Sequence, residues 1–84
     1  MSYEVIVERK ARKALAHLPA RVYGRVMRAI EDLAEHPRPR QSRQLQGSPG
    51  RRLRVGDYRV IYDIDDDRLE VFVAEVWHRQ RGYR

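Results

Sequence analysis

Arginines alternate with apolar residues in the middle of the chain. Residues 51–62 read RRLRVGDYRVIY, which predicts two short β-strands joined at Gly56-Asp57. Successive side chains of a strand point to opposite faces, so Arg52 and Arg54 share one face and the leucine between them takes the other. A sheet face with several guanidiniums is unfavourable unless water covers it or an anion binds there. The arginines of this segment are Arg51, Arg52, Arg54 and Arg59.

A second basic cluster ends the chain. Residues 78–84 read HRQRGYR and place a histidine and a tyrosine among three arginines. Imidazole ordinarily titrates near neutral pH, and arginine binds phosphate through two parallel hydrogen bonds. We therefore predict that the two clusters form one site for phosphate. The residues of this cluster that carry an imidazole, a guanidinium or an aromatic ring are His78, Arg79, Arg81, Tyr83 and Arg84.

The positive charge is segregated along the chain. The net charge is +6, and sixteen of the eighteen basic residues are arginine. Residues 38–59 contain seven arginines and one acid, and no acid follows Trp77. This distribution favours a polyanionic partner, namely nucleic acid, a membrane surface or an acidic protein. A GC-rich genome or a thermostable protein would explain the preference for arginine equally well.

Length and composition predict a single domain over residues 1–84. No apolar run approaches the roughly 20 residues that span a bilayer, and no signal peptide opens the chain, so we expect a cytoplasmic protein without a membrane partner. The chain has no cysteine. The acids of Glu31-Asp32 and Asp65–Asp67 fit a solvated helix face and a turn, so we predict neither a metal nor a cofactor.

Apolar periodicity predicts two helices and four strands. The first helix runs from Glu8 to Leu18, where Leu18-Pro19 interrupts it, and the second from about Ala20 to Glu35. Residues 40–50 are predicted to be loop, with Leu45 as an anchor. The predicted strands are 3–7, 51–55, 58–64 and 69–76. This β-α-α-β-β-β order predicts an α+β fold: a helical hairpin packed on one face of a small, mainly antiparallel four-stranded sheet.

The element order and two motifs resemble the RelE/ParE toxin superfamily, in its RelE branch. The motifs are R-x-G-D-Y-R-x-x-Y at residues 54–62 and H-R-x-x-x-Y-R at residues 78–84. The resemblance covers essentially the whole chain and implies a RelE-like fold. It also implies the toxin of a type II toxin–antitoxin system: a ribosome-dependent endoribonuclease that cuts the A-site codon of mRNA by attack of the RNA's own 2′-hydroxyl, without metal or cofactor.

The resemblance implies partners as well. They are a cognate RelB-like antitoxin, the ribosome with its 30S A site and rRNA, and mRNA. Antitoxins of this family typically cover the helical hairpin and part of the sheet of the toxin, so Val22 and Met27 are candidate contacts.

Residue roles follow from matching the family motifs. Arg59 and Arg79 match the arginines that clamp phosphate, and Tyr83 matches the tyrosine that stacks on a base and is a candidate for proton transfer. Arg52 and Arg54 stand on the strand where relatives carry lysines or arginines. Because arginine does not exchange protons near neutral pH, both are predicted to stabilise charge, and His78 becomes the candidate base or acid. The predicted catalytic residues are Arg52, Arg59, His78, Arg79 and Tyr83. The predicted RNA-binding residues are Arg51, Arg54, Trp77, Arg81 and Arg84.

Other interpretations stay open at this point. The chain could be a ParE-like gyrase poison without nuclease activity, or a basic domain that binds RNA or DNA and cuts nothing. Trp77 could pack rather than stack on RNA, and His78 could simply be solvated. Tyr58 and Tyr62 are predicted to be core residues, and Glu75 is predicted to pair with an arginine rather than to act as a base.

Overall fold

A five-stranded sheet carries both helices on one of its faces. The computed structural model describes residues 2–80. The sheet order is β1-β5-β4-β3-β2, in which β1 runs parallel to β5 and the other neighbours are antiparallel. The predicted α+β class and the mainly antiparallel sheet are confirmed. The elements are β1 (Glu4–Val7), α1 (Arg9–Ala16), α2 (Ala20–Asp32), β2 (Ser42–Gln44), β3 (Arg51–Val55), β4 (Tyr58–Asp65) and β5 (Glu70–His78).

The fifth strand corrects the sequence prediction. Residues 42–44, expected to be loop, form β2 at the edge of the sheet and pair with β3. Ser42 is buried, and its hydroxyl donates to the Pro39 carbonyl oxygen at 2.8 Å and accepts from Nη2 of Arg51 at 2.9 Å. Three residues are too few to show an alternating pattern, so hydrogen bonding in the folded chain reveals this strand where periodicity does not.

The core lies between the helices and the sheet. Ala11 and Leu15 of α1 are buried, as are Val26 and Ile30 of α2. These are the helix faces that the periodicity predicts, and Tyr62, also predicted to be internal, is completely buried. Within residues 2–80, no helix has the length and apolar character needed to cross a membrane. The remaining buried apolar residues are Leu33, Leu53, Val60, Val71, Val73 and Val76.

The pairing of β4 with β5 contains a bulge. Ile61 pairs with Glu75, whereas the next residue, Tyr62, pairs with Val73. Ala74 is therefore an extra residue on β5, and two residues of β5 oppose one of β4. Such a bulge interrupts the regular alternation of side chains between the two faces of a strand.

The bulge determines which end residues of β5 face the helices. Val76 beyond it is buried, so its neighbours Glu75 and Trp77 point to the opposite, helix-free face. His78 shares the helix side with Tyr58, its partner on β4, and their rings meet edge to face with centroids 5.1 Å apart. The two functional candidates at the end of β5 thus lie on different faces.

A carboxylate in the turn between β4 and β5 ties together three distant segments. Asp66 accepts hydrogen bonds from the Tyr3 hydroxyl at 2.6 Å and from Nη2 of Arg38 at 2.8 Å. The hydrogen bonds from Arg38 and Tyr3 lower the pKa of Asp66. Arg38 is therefore paired within the protein.

Replacing Asp66 with asparagine should remove an acid-sensitive part of the stability. Because the folded state lowers the carboxyl pKa below the ordinary value of 3.8, this contribution is present above that pH and disappears as the pH falls through the folded-state pKa. Urea unfolding at pH 7 and at stepwise lower pH should show the wild type to be more stable than Asp66→Asn above pH 3.8, with a difference that shrinks as the pH falls further. A stability difference between the two proteins that does not change with pH would contradict this.

Candidate nucleic-acid interface

Arginines from three strands meet on the sheet face that the helices leave open. Arg52 and Arg54 of β3 are exposed there, as predicted from their alternation with the buried Leu53. Arg54 pairs directly with Arg59 of β4, and Arg52 pairs with Arg43 of β2. Directly opposite residues of antiparallel strands point to the same side. We call these four arginines and their surface the arginine face.

The arginine face encloses a concavity of about 450 Å³. Its six lining residues include five arginines and no acid, so an anion is the complementary occupant. Two of the lining residues, Arg40 and Gln41, come from the segment before β2 that sequence reasoning treated as loop. The lining residues are Arg40, Gln41, Arg43, Arg52, Arg54 and Arg59.

Arg59 lies in an unfavourable position for a positive charge. Burial lowers the pKa of its guanidinium, and Arg54, Arg52 and Arg79 lower it further, while Asp57 acts in the opposite direction. Its Nη1 donates to the carbonyl oxygens of Gly56 at 3.0 Å and of Tyr58 at 2.9 Å. The side chain is thus held in place within a field of like charges, which a bound phosphate would relieve.

The turn between β3 and β4 positions the second predicted clamp residue. Asp57 follows Gly56, whose φ of 58° suits a residue without a Cβ. The Asp57 carboxylate lies 3.3 Å from Nε of Arg79, and the Asp57 carbonyl oxygen accepts from the Arg79 backbone N–H at 2.8 Å. This pair of contacts joins Arg79, beyond the end of β5, to the turn next to Arg59. Sequence reasoning did not assign Asp57 a role.

Under the nuclease function that the two motifs imply, replacing Asp57 with asparagine should separate RNA cleavage from RNA binding. The variant weakens the hold on Arg79, and a misplaced clamp would lower the rate of cleavage at saturating RNA by roughly 10- to 100-fold. Binding of RNA should be retained or strengthened, because the substitution removes a negative charge. Asp67→Asn, which makes the same charge change at an exposed turn position, is the matched control. Equal activity of the two variants would contradict a positioning role.

The structure does not bring every predicted site residue to the arginine face. His78 lies on the helix side, where its Nδ1 accepts from the Gln80 backbone N–H at 3.1 Å. Arg51 also lies on the other side of β3 and is held by Ser42. Trp77 does belong to the helix-free face, directly opposite Arg59. The predicted residues Arg81, Tyr83 and Arg84 lie outside the described residues.

Glu75 has a different partner from the predicted one. Its Oε1 lies 3.6 Å from Nζ of Lys10 in α1, and both side chains are partly exposed. A nearby arginine was the predicted partner, but the N-terminal turn of α1 lies beside β5 and supplies a lysine. Within residues 2–80, no group of three or more histidines and acids is arranged to hold a metal ion.

Comparison with known proteins identifies the family. The model of the ParE toxin of type II toxin–antitoxin systems, parDE, matches residues 5–83. The chain belongs to the RelE/ParE family of type II toxins. Toxin RelG of Mycobacterium tuberculosis is 36% identical over 89 residues, which span 100% of this chain and 99% of that protein. The resemblance seen in the two motifs is thereby confirmed.

Solved structures of the family share the fold. The toxin–antitoxin complex RelBE2 of Mycobacterium tuberculosis matches with a TM-score of 0.84 and 33% identity, covering 94% of this chain and 100% of that one. The archaeal RelE–RelB complex of Pyrococcus horikoshii matches with a TM-score of 0.85 and 31% identity, covering 98% and 100%. This type II toxin therefore has the RelE-like architecture that the element order predicts.

Proposed function

We propose that this toxin is a ribosome-dependent endoribonuclease that cuts mRNA in the A-site codon. The observation that carries the proposal is the arginine face: five arginines and no acid line its concavity, and the like charges of Arg54, Arg52 and Arg79 act on Arg59. Attack of a 2′-hydroxyl on the adjacent phosphate builds negative charge on the phosphorane. Fixed cations stabilise that charge, and the products are a 2′,3′-cyclic phosphate and a 5′-hydroxyl.

The arginines have different proposed roles according to their positions on the sheet. Arg59 and Arg79 hold the scissile phosphate, the first fixed by two carbonyl oxygens and the second by Asp57. Arg52 and Arg54 stabilise the developing charge from the neighbouring strand. Guanidinium stays protonated near neutral pH, so these residues act electrostatically and do not carry protons.

His78 and Tyr83 are the proposed groups for proton transfer. The His78 ring lies on the helix side of β5, so RNA bound at Arg59 would have to pass around the end of that strand to reach it. A comparison of His78→Ala with Tyr83→Phe at several pH values distinguishes the two. The variant that flattens the pH–rate profile identifies the proton-carrying residue.

A RelB-like antitoxin is the proposed partner, since the solved relatives include RelE–RelB complexes. Val22 and Met27, the candidates from sequence, are partly buried against the core of the toxin itself. Tyr23 of α2 offers an antitoxin a larger exposed surface than Val22 or Met27, because 44% of it is exposed. Tyr23→Ala should therefore weaken antitoxin binding more than Met27→Ala does.

Primer extension on a defined mRNA tests the nuclease directly. Purified toxin is incubated with the mRNA alone and with programmed 70S ribosomes, beside Arg79→Ala and Tyr83→Ala variants. Cuts within the A-site codon that need the ribosome and fade in both variants support the proposal. Absence of cuts with every template would refute it.

Gyrase poisoning is the second candidate, because the matching family model carries the ParE name. A gyrase-binding surface has no need of clustered phosphate-binding arginines. This candidate predicts that toxicity in cells survives Arg59→Ala, and that purified toxin inhibits supercoiling by gyrase without cutting RNA.

A further inference from the structure

A second concavity, of about 320 Å³, adjoins the arginine face. Arg52 lines both concavities, so they are neighbours on the helix-free side of the sheet. The second one differs in chemistry because it combines an aromatic and two aliphatic side chains with a carboxylate and neutral polar groups. Its lining residues are Leu45, Gln46, Ser48, Arg52, Ile61, Glu75 and Trp77.

Strand pairing sets the spacing between the two concavities. Trp77 of β5 is directly opposite Arg59 of β4, and Glu75 is directly opposite Ile61. Directly opposite residues on neighbouring strands are about 5 Å apart. This spacing is comparable to the separation between the phosphate and the base of one nucleotide. A nucleotide whose phosphate lies at Arg59 can therefore place its base over Trp77.

The carboxylate of Glu75 is unexpected on a surface for RNA. It repels phosphate, so binding of the RNA backbone gains nothing from it. Its ion pair with Lys10 explains little, because the two side chains are 77% and 32% exposed and exposed pairs contribute weakly. A carboxylate only accepts hydrogen bonds, and its two oxygens match two adjacent donors.

Guanine is the base that offers such a pair of donors, N1–H and N2–H, on its Watson–Crick edge. We propose that this concavity is a guanine-binding subsite in which the base stacks on Trp77 and Glu75 accepts from its two donors. Stacking on an aromatic ring tolerates any base, whereas the carboxylate provides the selection. The subsite rests on the proposed function, because it places a base beside the phosphate that is cut.

Intrinsic fluorescence tests the subsite without ribosomes. Trp77 is the only tryptophan of the chain and lines this concavity, so a base stacked on its ring changes the emission of the protein. Titration with 5′-GMP should quench it at a concentration roughly tenfold lower than titration with 5′-AMP. Glu75→Gln should abolish this difference, because the amide turns a donor towards the donors of guanine. Lys10→Ala removes the ion pair outside the concavity and should retain the difference.

A cleavage experiment adds the RNA context. Programmed ribosomes carry mRNAs that differ only in the base at each position of the A-site codon. Wild type and Lys10→Ala should prefer guanine at one position, and Glu75→Gln should lose that preference. If no mRNA is cut while 5′-GMP still quenches selectively, the nuclease proposal fails and the subsite stands. Equal quenching by 5′-GMP and 5′-AMP, or unchanged selectivity in Glu75→Gln, would overturn the subsite whatever the cleavage result.

Discussion

Replacing Arg59 with alanine should lower ribosome-dependent cleavage by roughly 10²- to 10³-fold, the usual effect of removing a preorganised group that stabilises transition-state charge. Arg59 is fixed by the carbonyl oxygens of Gly56 and Tyr58 and surrounded by other guanidiniums. The free protein should not be destabilised by the loss of this charge, because burial and the neighbouring arginines already disfavour it. Single-turnover primer extension and thermal unfolding of the same preparation measure the two effects.

Two further variants test whether the loss of cleavage is specific to the Arg59 guanidinium. Arg59→Lys keeps the charge but loses the planar fork that binds phosphate through two hydrogen bonds, so its activity should lie between wild type and Arg59→Ala. Arg68→Ala removes an exposed arginine from the turn between β4 and β5, far along the sheet, and should cut normally. Cleavage by Arg59→Ala at the level of Arg68→Ala would place the reaction elsewhere.

Tyr62→Ala should lower the free energy of unfolding by about 3–5 kcal/mol, as expected for truncation of a large core aromatic. Tyr62 is completely buried in the centre of the sheet. Small domains have a total stability of about 5–15 kcal/mol, so this variant should unfold at a much lower urea concentration. Urea titration followed by circular dichroism measures the change.

Tyr62→Phe measures the contribution of the hydroxyl to stability separately from that of the ring. The hydroxyl donates to the Pro37 carbonyl oxygen at 2.7 Å, which ties the segment after α2 to the sheet. Its removal leaves that carbonyl unpaired and should destabilise by about 1–3 kcal/mol. Tyr23→Ala, at an exposed position of α2, should change stability by less than about 0.5 kcal/mol. A Tyr62→Phe variant as stable as wild type would show that this hydrogen bond makes no net contribution.

Local sequence patterns were sufficient to predict the two helices and the strand pair β3 and β4 that carries the candidate site. The helical period identified Ala11 and Leu15 as core residues, because the spacing of side chains on a helix depends only on neighbouring residues. The alternation along β3 likewise placed Arg52 and Arg54 opposite the buried Leu53. Sequence therefore predicted the centre of the candidate site.

Local patterns do not determine features that depend on contacts between distant segments. Alternation from Val71 and Val73 would put Glu75 and Trp77 on the core side, and only the bulge at Ala74 turns them to the arginine face. The existence of β2 also depends on pairing with a distant partner, β3.

The sequence by itself determined the α+β class, the family and the concentration of arginine around residues 51–59, since composition, short motifs and local periods carry that information. The tertiary structure alone decided which side chains share a surface: it put Trp77 beside Arg59, joined Arg79 to Asp57 and turned His78 to the helix side. The physical reason is strand register. A shift of one residue moves every following side chain to the other face, and that register is set by the packing of the whole sheet against its helices.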